Sequence, residues 1–252
     1  MKHKNIRIVL VETSHPGNIG AVARAMKNMC LEQLSLVKPK AFPSPVATAR
    51  ASGATDILEN VGIFDSLDDA IADCGIVIGA SARLRSVQWP QLNPRECAEL
   101  AAMESVSAPV AIVFGREDSG LSNDELDRCQ YLVHIPTNPD YQSLNVAAAV
   151  QVICYEVHLQ LLENKPEQQT NYVLASSEDM EGFFSHMETA LTEIGFLKPP
   201  SCKKLLRRLR RMFNRAGLDK TDVNILRGIL SAAQGKKYAW VKKQSGENNQ
   251  VN

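Results

Sequence analysis

The stretch Val113-Phe-Gly-Arg-Glu-Asp-Ser-Gly120-Leu-Ser joins a buried-strand pattern to a charged loop that contains two glycines. The apolar run at 109–114 is typical of a strand covered on both faces. Beyond the loop, Ser122 can cap a helix while Glu125 reaches back in a capping box. Such a strand, loop and helix unit often carries functional residues, but an ordinary turn between strand and helix has the same pattern. This stretch alone leaves both interpretations open.

Two further stretches also follow apolar strand patterns. Asn18-Ile-Gly20-Ala-Val-Ala-Arg24 comes after the pattern at 6–11 and opens an amphipathic helix on which Gly20 and Arg24 share a face. Ile135-Pro-Thr-Asn138-Pro ends the pattern at 131–135, and Ser143-Leu-Asn145 then opens a long helix with Ser143 as its predicted cap. The small residues at 18–24 have an ordinary explanation, which is close packing of the helix. The free backbone NH groups at the start of the helix that follows Ser143 also suit polar ligand atoms.

Strand and helix patterns alternate through the first two thirds of the chain. Strands are predicted near residues 6–11, 34–37, 75–79, 111–114 and 132–135, and helices near 19–29, 67–73, 96–103, 124–129 and 144–161. This alternation predicts an α/β fold with a parallel sheet and helices on both faces. No GxGxxG follows the first strand and no Walker sequence occurs, which disfavours dinucleotide and nucleoside-triphosphate enzymes.

The three stretches together resemble the motifs of the SPOUT superfamily of S-adenosylmethionine-dependent RNA methyltransferases, and specifically its TrmH-like ribose 2′-O-methyltransferases. Further stretches are similar to the members that modify the ribose of nucleotide 32, a cytidine or uridine, in the tRNA anticodon loop: Glu12-Thr-Ser-His-Pro-Gly-Asn-Ile-Gly, Ser81-Ala-Arg, Trp89-Pro and Pro94-Arg-Glu-Cys. The resemblance implies a deep trefoil knot formed by the segment that carries Gly115 and Ser143. Hydrophobic patterning would not suggest a knot, because knots are almost absent from proteins.

The resemblance also implies a site made of three loops. We expect S-adenosylmethionine to contact Ala80, Ser81, Ala82, Gly115, Ile135, Ser143, Leu144 and Asn145. The residues with expected catalytic roles are Arg24, Asn18, Ser143, Asn145 and Glu117.

Arg24 corresponds to the residue assigned as catalytic in the family, where it can act from the neighbouring subunit of a homodimer. Because a guanidinium keeps its proton, we expect Arg24 to grip a phosphate and stabilise the developing alkoxide. We expect Asn18 to orient Arg24 or the substrate, and Glu117 to position its motif. The family dimerises through the motif-one and final helices, and the apolar stripe of residues 146–157 permits this, although packing within one subunit would produce the same stripe.

Composition is that of a cytoplasmic enzyme without a metal. No apolar run among the 252 residues is long enough to cross a bilayer, and the first strand begins without a signal-peptide core. The six cysteines form no CxxC pair and the five histidines form no ligand cluster, so no metal site is implied and buried cysteines are expected.

Net charge is zero overall but is unevenly distributed. Residues 171–252 carry fourteen Lys and Arg against eight Asp and Glu, while the first 170 carry fourteen against twenty. The resemblance implies a SPOUT domain at 1–164. Polar composition and the charge excess beyond it predict a linker at 165–175, a basic α-helical tRNA-binding domain at 176–243 and a disordered tail at 244–252. The helices of that module are predicted at 180–196, 203–216 and 221–234, with Gly182, Gly195, Gly217 and Gly235 near their ends.

The middle predicted helix combines an apolar stripe with a dense run of positive charge. A solvated helix face is the ordinary explanation of a charge run, but like charge without neighbouring Glu repels itself and favours contact with RNA. The expected RNA-binding residues are Lys203, Lys204, Arg207, Arg208, Arg210, Arg211 and Arg215.

Two alternatives stay open at this point. The same chemistry could act on ribosomal RNA, or the chain could be a non-catalytic RNA-binding protein. The sequence leaves undetermined which tRNAs are used and which base stands at the modified nucleotide, since direct readout depends on loop geometry.

Overall fold

The structure, a computed structural model, describes residues 3–82, 89–163, 173–197 and 202–235. Its strands are β1 (His3–Val11), β2 (Leu31–Val37), β3 (Gly62–Phe64), β4 (Ile76–Ala80), β5 (Gln91–Leu92), β6 (Val110–Phe114) and β7 (Tyr131–Val133). They form one sheet in the order β3-β2-β1-β6-β4-β7-β5, and every recorded pair is parallel. The predicted parallel sheet is confirmed.

The helices of the sheet-forming part are α1 (Pro16–Asn28), α2 (Pro45–Ala51), α3 (Thr55–Glu59), α4 (Leu67–Ile71), α5 (Pro94–Glu104), α6 (Asn123–Leu126) and α7 (Val146–Glu163). Side chains that alternate along the central strands enter two separate cores. On β1, Ile8 and Leu10 pack with α1, α2, α3, α5 and α7, while Val9 and Val11 pack with α4 and α6. Helices therefore cover both faces, as the continuous apolar strands predicted.

Four elements were not predicted: β3, β5, α2 and α3. The strand β3 has three residues, none of them fully buried, and β5 has two, so neither shows an apolar run. The helix α2 begins at Pro45 after the N-cap Ser44 and buries only two alanines. Short elements at the edge of a fold bury too little apolar surface to produce a readable pattern.

The C-terminal helices are α8 (Ser177–Glu193), α9 (Lys203–Asn214) and α10 (Lys220–Ala233). They share a third core, with Phe183 and Phe184 of α8 packed beside Phe213 of α9 and Val223 of α10. Gly195, Gly217 and Gly235 follow these helices with positive φ, as helix ends favour. The prediction for Gly182 is wrong, since it lies inside α8.

The implied knot depends on how the chain passes β7. This strand lies between β4 and β5 in the sheet although it follows both in sequence. The connection from β4 to β5 includes residues 83–88, outside the described residues, so the knot stays a prediction. Most of the predicted linker at 165–175 and all of the predicted tail at 244–252 also lie outside them. No helix within the described ranges is long and apolar enough to span a bilayer.

The cysteines lie mostly in the cores. Cys74, Cys97, Cys129 and Cys154 are buried, whereas Cys30 and Cys202 are only half-buried. Burial raises the pKa of the Cys97 and Cys129 thiols to about 12, so both are neutral at physiological pH. The expectation of a packing role therefore fits four of the six.

Candidate active site

Three loops meet at the carboxyl end of the neighbouring strands β6, β4 and β7. Because these strands are parallel and adjacent, the loops that follow them reach the same edge of the sheet. They enclose a cavity of about 310 Å³. Seven of the eight predicted cofactor contacts line it: Ala80, Ser81, Ala82, Gly115, Ile135, Ser143 and Leu144.

The loop after β6 closes on itself through Gly115 and Gly120. The amides of Arg116 and Gly120 donate to each other's carbonyls, at 3.2 and 2.9 Å. A Cβ at Gly115 would lie 2.2 Å from the carbonyl carbon of Gly120, and Gly120 itself has φ of 70°. Both glycines are therefore required by the backbone of this loop. For Gly115 this requirement comes from its own chain and is independent of any ligand.

Arg116 joins this loop to two other elements. Its Nη2 donates to Oε1 of Glu12 at 2.7 Å, and its Nη1 donates to Oε2 of Glu125 at 3.0 Å. The guanidinium lowers the pKa of the Glu12 carboxyl by this hydrogen bond. Glu125 also completes the predicted capping box with Ser122, which is confirmed. Sequence inspection missed the pair with Glu12, because the two residues are 104 positions apart and nothing local relates them.

Glu117 holds the turn before α1. Its carboxylate accepts hydrogen bonds from the amide of Ser14 at 3.1 Å, the hydroxyl of Ser14 at 3.0 Å and Nδ2 of Asn18 at 2.9 Å. Desolvation raises the pKa of Glu117, but hydrogen bonds from Asn18 and Ser14 outweigh it and leave the pKa at about 2. A carboxylate with so low a pKa is a poor general base, and its hydrogen bonds fix the turn before α1 in position.

Asn18 connects Glu117 to the third loop. Its Oδ1 accepts a hydrogen bond of 3.1 Å from Nδ2 of Asn145, so Glu117, Asn18 and Asn145 form one row across all three motifs. Asn145 also accepts from the amide of Ala147 at 2.9 Å and thereby caps α7. The prediction that Ser143 caps this helix is wrong. Ser143 is exposed and lines the cavity, whereas Asn145 is absent from the lining.

Arg24 lies away from this cavity in the single chain. It is exposed in a separate hollow of about 330 Å³ between α1 and α7, beside Arg50, Ala148 and Gln151. No hydrogen bond between Arg24 and Asn18 is recorded among the described residues. Gly20, one turn earlier, lies against α2, where an added Cβ would be 2.0 Å from the carbonyl oxygen of Ala47. Its role in the chain is close helix packing.

The apolar stripe of α7 belongs to the core of its own chain. Val150, Ile153 and Val157 are fully buried against the sheet and α5. The stripe therefore provides no argument for a dimer, whereas the exposed Tyr155 and Ala148 lie on the outer side of α7.

The seven basic residues of α9 and its end have two kinds of surroundings. Arg207 binds Asp127 at 2.7 Å, Arg210 pairs with Glu181 and stacks on Phe184, and Arg211 lies over the ring of Trp89. The others are exposed and have no ion pair within the described ranges: Lys203, Lys204, Arg208 and Arg215. The sequence shows no acidic residue beside this run of positive charge, but the fold supplies Asp127 after α6 and Glu181 in α8 as partners.

Comparison with protein-family models finds two matches. Residues 5–155 match the model described as SpoU rRNA Methylase family. Residues 178–247 match the model described as tRNA methyltransferase TrmJ, C-terminal domain.

Individual relatives cover nearly the whole chain. A tRNA (cytidine/uridine/adenosine-2′-O-)-methyltransferase TrmJ of Pseudomonas aeruginosa is 50% identical over 91% of this chain and 93% of its own length. A tRNA (cytidine/uridine-2′-O-)-methyltransferase TrmJ of Pectobacterium atrosepticum is 51% identical over 91% of this chain and 97% of its own. The crystal structure of TrmJ from Z. mobilis ZM4 superposes with a TM-score of 0.79 at 32% identity, covering 90% of this chain and 97% of that one.

Proposed function

The chain belongs to the SpoU methylase family and carries the C-terminal region of TrmJ, and on this premise we propose that it methylates a ribose 2′-oxygen of tRNA with S-adenosylmethionine as methyl donor. The observation that carries the proposal is the meeting of the loops after β4, β6 and β7 around one cavity, beside which hydrogen bonds link Glu117, Asn18 and Asn145 of the three motifs. Relatives about half identical carry names for cytidine and uridine 2′-O-methylation in tRNA. Nucleotide 32 of the anticodon loop is the site we propose, and the cytoplasm is where the enzyme would meet tRNA.

The residues around the cavity fit S-adenosylmethionine. The volume of about 310 Å³ is that of a small-molecule site, and its walls combine apolar side chains such as Leu121 and Val133 with small residues that leave backbone groups accessible. Ala80, Ser81, Ala82, Gly115, Ile135, Ser143 and Leu144 would hold the cofactor. When bound, it supplies a methyl group made electrophilic by a sulfonium.

Alignment is the main demand of this reaction, because the ribose oxygen must attack in line and lose one proton. Asn145, held by Asn18, would orient the ribose at the mouth of the cavity, and Ser143 would contact the reacting groups. Glu117, ionised and saturated with donors, would act as a positioning residue that keeps the turn before α1 against the pocket loop.

Arg24 would complete the site from the partner of a homodimer. In one chain it lies in the hollow between α1 and α7, outside the cavity. The small side chains of that hollow, Ala21, Ala25 and Ala148, allow another helix to approach closely. Arg24 would then grip a tRNA phosphate and stabilise the developing alkoxide while keeping its own proton. Sedimentation that detects only monomer at micromolar concentration would contradict a shared site.

The α-helical region at 176–243, joined by a linker at 165–175, is our proposed tRNA-binding domain. Its helices α8, α9 and α10 share a core distinct from the two cores of the sheet. The exposed Lys203, Lys204, Arg208 and Arg215 supply positive charge for a phosphate backbone.

The decisive experiment supplies labelled S-adenosylmethionine with unmodified total tRNA and, separately, with ribosomal RNA. We expect label in tRNA, mapped to a 2′-O-methyl at nucleotide 32. Transcripts with cytidine, uridine or adenosine at that position would measure base preference, for which the names of the two relatives differ. Label in ribosomal RNA alone would favour that alternative target, and cofactor binding without transfer to either would favour a non-catalytic RNA-binding protein.

A further inference from the structure

The basic residues of α9 point in two directions. Arg207 and Arg211, one turn apart, contact the sheet-forming part of the chain, and Arg210 contacts α8. Lys204, Arg208 and Arg215 lie on the solvent side, next to the exposed Leu205 and Met212. The helix thus has one basic side that is engaged within the protein and one that is available to another molecule.

Arg207 compensates a buried carboxylate. Asp127, directly after α6, is 9% exposed, and Nε of Arg207 donates to its Oδ2 at 2.7 Å. Burial raises the pKa of Asp127, and the charge of Arg207 opposes that effect. A carboxylate in this position is costly without a cation, so the pair favours the docked position of α9. The second contact, to Asp124 at 3.3 Å, involves a side chain that is 90% exposed and contributes little.

Arg211 covers a second buried residue of the sheet-forming part. Its guanidinium carbon lies 5.4 Å from the ring centroid of Trp89, which is 7% exposed and precedes β5. Two backbone hydrogen bonds fasten the neighbouring α8 to the same side of the sheet, from Ser177 to Cys74 at 2.7 Å and from Glu178 to Ala72 at 3.1 Å.

Both contact points of α9 are linked to residues that line the cavity. Asp127 ends α6, whose Glu125 pairs with Arg116 of the loop after β6. Trp89 belongs to the same buried core as Leu121, a cavity residue of the loop after β6. Movement of α9 would therefore disturb contacts that support the loop after β6, which is one wall of the cavity.

We propose that Arg207 and Arg211 are positioning residues, which dock α9 on the sheet-forming part of the chain and so hold the exposed strip Lys204, Arg208 and Arg215 in a set orientation toward the reacting nucleotide. The orienting role rests on the proposed tRNA methylation, whereas the docking itself does not. Two of the seven basic residues assigned to RNA thus bind the chain's own catalytic part.

The first test needs no RNA. Hydrogen exchange of the α6 and α9 amides is measured in the full-length protein, in the single variants Arg207→Asp and Asp127→Arg, and in the double variant. Each single charge reversal places two like charges together and should speed amide exchange in both helices. The double variant restores an opposite-charge pair and should return exchange to the slower rate of the original protein. The matched control Arg208→Asp, one residue away on the exposed side, should leave exchange unchanged. Unchanged exchange in Arg207→Asp would overturn the docking.

If a charge reversal prevents folding, Asp127→Asn and Arg207→Gln replace it, since each removes one charge and keeps a polar side chain at the position. Either variant should still speed amide exchange in α9. Equal exchange in the original protein and both of these variants would also overturn the docking.

The second test uses unmodified tRNA and measures affinity, its salt dependence and turnover at saturating tRNA. Arg207→Asp should lower turnover, and the double variant with Asp127→Arg should recover most of it, because the docked geometry returns although residue 207 is now acidic. Arg208→Asp should instead weaken tRNA binding and flatten the salt dependence without rescue. A double variant that stays as impaired as Arg207→Asp would identify Arg207 as a direct RNA contact. If no RNA is methylated, the proposed function fails while the exchange measurements still decide the docking.

Discussion

The cavity loops and helix α9 both concentrate charged residues within a few positions, but they arrange them differently. In the loop after β6, Arg116 and Glu117 line the cavity, and each binds several groups of the same domain. In α9, Arg207 and Arg211 bind the sheet-forming part, while Lys204 and Arg208 face solvent together with Arg215 at the end of the helix. The charged residues of the first region hold the cavity loop to neighbouring elements. Those of the second region are divided between contacts with the sheet-forming part and an exposed surface.

This difference shows that charge density alone does not identify a binding surface. The carboxyl ends of parallel strands meet whatever the side chains are, so residues after β4, β6 and β7 converge by topology. On a helix, neighbouring residues point in directions about 100° apart, and only the packing partner decides which of them is engaged. Four variants test the difference between the two regions.

The largest expected effect is that of Arg24→Ala. Methyl transfer should fall by about 100-fold or more, as for the loss of a group that stabilises developing negative charge. Cofactor affinity should barely change, because the groups that Arg24 is proposed to bind are a tRNA phosphate and the developing alkoxide and not the cofactor. Calorimetry with S-adenosylmethionine and single-turnover transfer to tRNA measure the two quantities. Lys27→Ala on the same helix, whose ammonium pairs with Asp56, is the control. A large loss of cofactor affinity in Arg24→Ala would contradict the catalytic role.

Gly115→Ala tests the rigidity of the cavity wall. The added Cβ would meet the backbone of Gly120 and Leu121 at 2.2 to 2.4 Å, so the loop must move, at a cost of about 1–3 kcal/mol. We expect a lower unfolding temperature together with weaker cofactor binding. Gly53→Ala is the matched control, since nothing lies within 4 Å of its Cβ position. Equal stability of the two variants would show that the loop adapts easily.

Glu117→Gln tests the anchor between the first two motifs. We expect a loss of about 1 kcal/mol of unfolding free energy near neutral pH, since the site is partly open to solvent. The pKa of Glu117 is lowered from 4.5 to about 2, so its contribution is present above about pH 4.5 and is lost as the pH falls toward 2.

Urea unfolding of the original protein and of Glu117→Gln should therefore converge as the solution is acidified. Asp118→Asn, whose side chain bonds only the neighbouring Ser119 among the recorded side-chain contacts, controls for loss of an acidic charge in the same loop. A stability difference that persisted unchanged to about pH 3 would contradict the anchoring role of the carboxylate.

The smallest expected effect is that of Arg208→Ala. Loss of one phosphate contact should weaken tRNA binding modestly and lower the slope of log affinity against log salt by about 1. Stability should not change, because Arg208 is exposed and has no ion pair among the described residues. Arg95→Ala, also exposed but on α5, removes the same charge away from α9. Equal salt slopes in the two variants would contradict the proposed RNA-facing strip.

Much of the fold was predictable because each apolar strand and each helix cap has a local pattern. The capping box of Ser122 and Glu125 and the strands β1 and β6 are examples. Helix starts were less predictable, as at α7, where Asn145 rather than Ser143 is the cap. Both residue types cap helices equally well, so residue type alone does not locate the first turn, and Asn145 also bonds Asn18, which is 127 positions away.

Local patterns of neighbouring residues suffice to predict the parallel sheet, the three motif stretches and the excess of positive charge in the last third of the chain. Only the tertiary structure decided that Glu117 binds Ser14 and Asn18, that Gly115 is required by Gly120, and that Arg24 lies outside the cavity. It also divided the arginines of α9 between docking and solvent. These facts depend on contacts between residues distant along the chain, and such contacts exist only once the strands and helices have packed.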